Sequence, residues 1–451
     1  MRHPTTIPLG EKIRQVRIAK ELTQDYLARA LNYSNTHISR IEKGTVECDS
    51  ETLDAIKIAL AIPKATPLTE DELTVYKSQI WVWHEQLNSH RINDAQAMKG
   101  ELECILYLPF ENDLKAIYMM QAVRLLYIQE AARVYWDNKE SHKQAIEQLL
   151  ENTGAILETI GDEASPEARY LYHRNMGAFY GWNIDYKEAI NHSIKAAELY
   201  KFSSILKPDS LLYSHISFFY LNLGKPHHAL LYLERAFAAD SNDPTSTNGP
   251  LLKVRQAGCY IFLGELEKSK AIYEESLARA RSINNKELIV MATVDLGDVA
   301  ARMGRPKEAI RLLCQAESML DGNLNVHASI LFMYVKARSL LQIKHIKECE
   351  KVIEDGISLA REIGSELYIV CFESLRHLIN IKNPESQEYL EKVAIPYLRN
   401  SNSIMFYETL EICNILERFY IKNRSKAKAM NVVAVSRDIL YGMLYDIPQH
   451  R

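Results

Sequence analysis

The chain has 451 residues, 47% hydrophobic and 25% charged, with a formal net charge of −4, which is the composition of a soluble globular protein of about two to four domains. No apolar run reaches the roughly 18 residues a membrane helix needs, and the opening MRHPTTIPLGEK lacks the apolar stretch of a signal peptide. The seven cysteines are odd in number, widely spaced and without a C-x-x-C, so they read as small buried hydrophobes in a reducing compartment, not as a disulfide framework or a metal site.

Charge is unevenly placed. Residues 9–44 carry seven Lys and Arg against four acids, a mildly basic piece of an acidic chain. In that piece Ile13, Val16 and Arg17 share one face of a first helix. Thr23 can cap a second helix that turns Leu27, Ala28 and Leu31 inward. Asn32-Tyr33 makes the turn, since asparagine tolerates the left-handed conformation. Ser34 can cap a third helix with Ile38 and Ile41 inward and Asn35, Thr36, Ser39 and Arg40 outward, and Lys43-Gly44 ends it. Helix, short turn and short polar-faced helix is the helix-turn-helix layout.

The segment IPKATPLTEDE at 62–72 holds two prolines, which stop a helix, and Thr69 followed by acids, which starts one. The expected division is a first domain at 7–64, a linker at 65–72 and a second domain at 73–451. Glycine and proline are scarce and strand-like alternation is nearly absent, so the whole chain is expected to be all-α.

The second domain repeats itself with a period of 40, from the small residues Gly177, Ser217, Ala257, Gly297 and Ala337. Each is followed three places on by an apolar residue, often seven on by a glycine, and twelve on by another small residue. Two antiparallel helices joined by a tight turn explain this, with small residues where the helices cross and glycine at the turn. Such a pair cannot bury its apolar face alone, so neighbours must stack.

The first domain resembles the XRE, or lambda-repressor-like, helix-turn-helix family through Thr23-Gln24, Leu27-Ala28, Ile38-Ser39-x-Ile41-Glu42 and Gly44, with Asn32 where the family usually has glycine. The resemblance implies that the third helix enters the major groove of double-stranded DNA. Asn35, Thr36 and Arg40 would meet base edges, with Ser39 as a fourth contact. Thr23, Gln24 and Lys43 would hold phosphates, and His37 at the edge could do either. Arg17 and Glu42 look like the family's internal ion pair. One head makes few contacts, so a homodimer on a pseudo-palindromic operator is expected.

The repeats resemble the tetratricopeptide family, strongly over 168–360, and imply a right-handed superhelix of eight or nine units whose first helices line a concave groove. By that resemblance the groove positions are Arg174, Asn175, Ser214, His215, Arg255, Asp295, Asp298, Tyr334 and Arg338, a polar set suited to a short signalling peptide. The two parts together resemble the RRNPP group of cytosolic peptide-pheromone receptors, in length more like its NprR type than its shorter Rgg type. That implies a cytoplasmic quorum-sensing regulator whose DNA binding is set allosterically by a peptide. An alternative is a bifunctional or scaffold array that holds a protein such as a response regulator. No phosphate loop, zinc-binding H-E-x-x-H or nucleophile elbow occurs, so no enzyme activity, cofactor or metal is expected. Trp81, Trp83, Trp136 and Trp182 read as core or interface, and the basic run Lys422–Lys428 as a solvated face.

Overall fold

The computed structural model describes residues 9–20, 22–46, 48–60, 67–88, 91–108, 110–132, 139–183, 185–242, 248–319, 326–400 and 406–444, and their regular elements are all helical. Helices α1 (Leu9–Ala19), α2 (Gln24–Leu31), α3 (Asn35–Glu42) and α4 (Ser50–Ala59) form the head. Local chemistry sets their ends. The Thr23 hydroxyl accepts from the Tyr26 N–H and starts α2, and Asn32 ends it in the left-handed region at φ 56°. The Ser34 hydroxyl accepts from the His37 N–H and starts α3. Asp49 caps α4 by accepting from the Thr52 N–H at 2.7 Å. Ile13, Leu27, Ala28, Ile38, Ile41, Ile56 and Leu60 then close one small core.

The helices α5 (Glu70–Asn88), α6 (Ile92–Glu101), α7 (Asn112–Ala132) and α8 (Lys139–Ile160) follow. The linker span 65–72 lies partly outside the described residues, and α5 begins inside it at Glu70. Its start is a reciprocal cap: the Thr69 N–H donates to Glu72 Oε2 at 2.9 Å and the Glu72 N–H to Thr69 Oγ1 at 3.3 Å. Trp83 is fully buried and its ring lies 5.3 Å from that of Tyr118, whereas Trp136 is outside the described residues.

The period of 40 appears as helix pairs: α9 (Pro166–Trp182) with α10 (Tyr186–Glu198), α11 (Ser210–Asn222) with α12 (Pro226–Ser241), and α13 (Gly249–Phe262) with α14 (Leu266–Ser282). Next come α15 (Lys286–Arg302) with α16 (Pro306–Ser318) and α17 (Val326–Gln342) with α18 (Ile346–Glu362). In each pair the second small residue, Ala189, Ala229, Ser269, Ala309 or Cys349, is fully buried where the helices cross. At Gly177 an added Cβ would stand 2.3 Å from Ser193 Oγ and 3.1 Å from the Ala189 carbonyl oxygen, so a larger residue would have to displace the Ser193 hydroxyl and press on the facing helix. The pattern then loosens. After α19 (Glu366–Ile379) the second helix is broken into α20 (Pro384–Tyr389), a π-turn at Leu390–Ala394 and α21 (Ile395–Asn400). Pro396 lacks the N–H that would continue the regular ladder there. The described chain ends with α22 (Phe406–Lys422) and α23 (Lys426–Leu444), and the run Lys422–Lys428 between and within them is mostly exposed.

Two compact units result, one of α1 to α8 with the first turns of α9, the other from the rest of α9 through α23. Cys259, Cys349, Cys371 and Cys413 are buried as expected. Cys48 and Cys104 are half-buried, and Cys314 is exposed, because it lies on the outer side of α16.

Candidate nucleic-acid interface and ligand groove

In the head, Arg17 and Glu42 make the expected ion pair. Arg17 Nε donates to Glu42 Oε1 at 2.6 Å and Nη2 to Oε2 at 3.0 Å, and Nη1 donates to the Leu22 carbonyl at 2.7 Å. Burial works to raise the Glu42 carboxyl. Hydrogen bonds from Arg17 and Gln24, with the charges of Arg17 and Arg14, outweigh that and hold it below the usual range. The same carboxylate raises Arg17. This fork joins α1 to α3 and fixes the angle at which α3 stands.

Gln24 departs from expectation. Its Nε2 donates to Glu42 Oε2 at 2.7 Å, so its amide braces the carboxylate and is not held out toward a phosphate. Glu42 has more acceptor positions than Arg17 fills, and Gln24, in the first turn of α2, is the nearest donor. Asn35, Thr36, Arg40 and Lys43 are exposed, Ser39 is half-buried, and the half-buried His37 ring lies 4.7 Å from that of Tyr33. Among the described residues, no carboxylate pairs with Arg40 or Lys43. Asn35 Nδ2 lies 3.5 Å from Asp25 Oδ1, an exposed carboxylate that itself pairs with Arg29 at 2.5 Å. One residue the sequence reading missed is Gly10. An added Cβ would stand 2.2 Å from the Ile41 carbonyl oxygen, so α1 can lie across the end of α3 only with glycine there.

On the inner helices of the repeats the nine expected groove residues divide. Asp298 and Arg338 are corrections. Asp298 receives Arg302 Nε at 2.7 Å and a short hydrogen bond from Arg338 Nη2. Arg302 Nη2 also donates to Glu408 Oε1 at 2.7 Å, and Arg338 Nη1 stands 3.7 Å from Glu411 Oε2. These charges therefore join α15 and α17 to α22 inside the protein. Burial disfavours the Asp298 anion, but Arg302 and Arg338 hold it low. Tyr334 is a third correction: it is buried, with its ring edge-on to Phe372 of α19 at 5.8 Å, because the next repeat packs over it. Asn175 is 1% exposed and has interactions inside the fold, so it does not face an open groove. Ser214 is fully buried, with a hydroxyl that finds no hydrogen-bond partner among the described residues. Arg174 Nε donates to Asp209 Oδ2 at 3.0 Å, and His215 is half-buried near Phe219.

Arg255 and Asp295 remain. Both are half-buried, and neither makes an ion pair with a described residue. Arg255 lies over the Phe218 ring at 4.8 Å, and its buried Nε has no hydrogen-bond partner among the described residues. Burial pulls Arg255 down to about 10. Burial, followed by the charge of Asp298, pushes Asp295 up to about 8. Among the described residues no group of three or more His, Cys, Asp or Glu is placed to hold a metal ion, and no helix is long and apolar enough to cross a membrane.

The chain matches the helix-turn-helix family model over residues 13–65 and the tetratricopeptide repeat model over 251–321. It is 19% identical to the transcriptional activator NprA of Geobacillus stearothermophilus over 419 residues, 91% of this chain and 98% of that protein. It is 22% identical to response regulator aspartate phosphatase E of Bacillus subtilis (strain 168) over 342 residues, 73% of this chain and 86% of that one. Its fold is that of a Rap protein solved with competence and sporulation factor, with TM-score 0.70, 13% identity, and coverage of 83% of this chain and 99% of that one. It is also that of NprR solved with its cognate peptide NprX, with TM-score 0.63, 17% identity, and coverage of 81% and 99%.

Proposed function

We infer the function from one premise: the chain belongs to the RRNPP family of helix-turn-helix and tetratricopeptide regulators. It acts by binding, not by catalysis, in the cytoplasm. The head reads operator DNA with α3, and a short signalling peptide on the inner face of the repeats sets whether it does so. The observation that carries this reading is the head itself, in which a buried fork from Arg17 and Gln24 to Glu42 fixes α3 while Asn35, Thr36 and Arg40 stay exposed.

The residue types suit the task. Arginine pairs bidentately with guanine, asparagine with adenine, and a threonine methyl meets the thymine methyl. Lys43 and the Thr23 hydroxyl are exposed and suit phosphate contacts, which set register without reading sequence. One head offers few contacts, so the working form is a homodimer on a pseudo-palindromic site, with half-sites about 34–36 Å apart. A peptide that alters how two heads are held then changes operator affinity through geometry alone.

The test is capture of host-genome fragments on the purified protein, wild type against Arg40→Ala. Sequence-specific enrichment lost in the variant supports the reading. Equal enrichment by both proteins removes α3 as the reader. A second reading follows from the likeness to a response regulator aspartate phosphatase: the repeats also hold a protein partner such as a response regulator. It predicts a partner retained by chains carrying Arg40→Ala.

A further inference from the structure

Two opposite charges on the inner face lack internal partners. Arg255 in α13 and Asp295 in α15 stand at the same place in consecutive repeats, each two residues before the small residue of its helix, Ala257 and Gly297. Their neighbours show what the fold does with a charge it needs for itself: Arg174 meets Asp209, and Asp298 meets Arg302 and Arg338. Arg255 and Asp295 have no such partner among the described residues, and they do not pair with each other. A charge withdrawn from water without a partner is unfavourable. Both residues nevertheless stay half-buried and are not fully enclosed. Phe218 covers the flat face of the Arg255 guanidinium, which leaves its hydrogen-bonding edge for a ligand.

We propose that Arg255 and Asp295 form a two-charge reading site for a peptide that carries both a carboxylate and a basic group, the carboxylate seated on Arg255 and the basic group on Asp295. The proposal rests on the inner face being the peptide site. It adds the ligand's charge pattern: α13 and α15 are successive inner helices, so for a given backbone direction only one order of acid and base along the peptide satisfies both. Arginine suits the carboxylate end, since its planar fork takes two oxygens at once. Selectivity follows from both: a ligand without a carboxylate leaves the buried Arg255 cation unsatisfied, and one without a basic group gains no ion pair at Asp295.

The test uses a library of synthetic hexapeptides, each with one Glu and one Lys at varied separations in both orders, with Gln or norleucine replacing either charge in control members. Affinity for the full-length chain is measured by fluorescence anisotropy for wild type, Arg255→Gln, Asp295→Asn and the charge-exchanged double variant. The expected result is a preference of about tenfold or more for one order of acid and base. Arg255→Gln should abolish dependence on the acid and keep dependence on the base, Asp295→Asn the reverse, and the double variant should prefer the opposite order. Peptide binding that ignores charge, or preferences that survive both single variants, overturns the two-charge site and leaves the peptide reading standing. If no member binds wild type, the peptide reading falls with it. Thermal unfolding gives an independent check: a drop in Tm of several degrees for either single variant would mean that the charges are structural partners, and the proposal fails.

Discussion

Ser269 Oγ donates to the Ala257 carbonyl at 2.9 Å, from the second helix of a repeat to the first. Two repeats on, Cys349 Sγ reaches the Ala337 carbonyl in the same way at 3.2 Å. The spacing of twelve is thus a contact: the later residue must be small enough to sit against the earlier helix, and a short polar one gains a hydrogen bond there. Ser269→Ala should cost about 0.5–1.5 kcal/mol, the worth of an ordinary hydrogen bond. Ser269→Val overfills the fully buried crossing and should cost about 1–3 kcal/mol. Amide exchange in α13 and α14 measures both, and equal protection in the two variants would show that the crossing has room to spare.

The turns offer a second prediction. Gly224, Gly264 and Gly304 close three of the pairs at φ of 71°, 74° and 73°. In the fifth pair Lys344 takes that place at φ 62°, and the His345 N–H still reaches the Leu340 carbonyl at 3.0 Å. The geometry is held although lysine pays a steric penalty of about 1–2 kcal/mol in the left-handed region. Glycine removes that strain and gives back part of it as chain entropy. Lys344→Gly should therefore raise stability by about 0.5–1 kcal/mol, read as a higher denaturation midpoint for α17 and α18. No change, or a loss, would mean that the turn relaxes around lysine at no cost.

In the head, Glu42 is the acceptor on which Arg17 and Gln24 converge. Glu42→Ala strands a buried guanidinium and should cost about 3–5 kcal/mol. Amide protection in α1 and α3 should fall by a factor of about one hundred or more, since 1.4 kcal/mol is tenfold. The pH sign follows from the lowered Glu42 carboxyl. Its contribution is complete above the ordinary glutamate value of about 4.3 and is lost as pH falls through the lower folded value. Head stability in wild type should therefore drop on acidification more steeply than in Glu42→Gln.

DNA binding separates two exposed cations of α3 and its end. Arg40→Ala should cost about 1–3 kcal/mol on the captured operator and relax base preference at one position. Lys43→Ala should weaken all sequences alike and lower the slope of log affinity against log salt by about one. If the two variants behave identically, Arg40 contacts only the backbone.

What the sequence made legible is what local chemistry and repetition encode. Thr23, Asn32 and Ser34 mark the head's helix ends within a few residues of each other, and the repeat shows five times over. What stayed hidden depends on distant partners. Asp298 and Arg338 occupy groove positions by spacing, yet Glu408, on α22, helps draw their charge network inward, and no local pattern announces a partner so far along the chain. Gly10 looked like an ordinary residue of a first helical turn, and only the Ile41 carbonyl lying against it shows why nothing larger fits. Gln24 had a family role at a phosphate, but an unfilled acceptor on Glu42 lay nearer.

Asp295 gives the last prediction. Burial and Asp298 raise its carboxyl to about 8, against about 3.9 in an unfolded chain. Between those values the folded protein keeps a proton that the unfolded chain has released, so stability falls as pH rises from about 4 to about 8 and levels beyond. The groups around Asp295 do not titrate in that window. Tyr273 of α14 is held protonated far above its ordinary value, first by burial and then by Asp295 and Asp298. Burial pushes the Cys259 thiol on α13 up to about 12, and Arg255 at about 10 stays cationic. Asp298 is held low, while Arg302 and Arg338 are raised by their pairing with it. The difference in slope between wild type and Asp295→Asn therefore reports Asp295, and the variant should be the flatter of the two. Denaturation midpoints of the two proteins, measured from about pH 4 to 8, should converge near pH 4 and part toward pH 8 with the variant the more stable. Parallel curves would mean that the carboxyl is ionised throughout. The same linkage reaches the ligand, because a basic group can pair only with the ionised form. At pH 7, binding of a Lys-bearing peptide should release up to about one proton, seen as a dependence of the calorimetric enthalpy on buffer ionisation that disappears in Asp295→Asn.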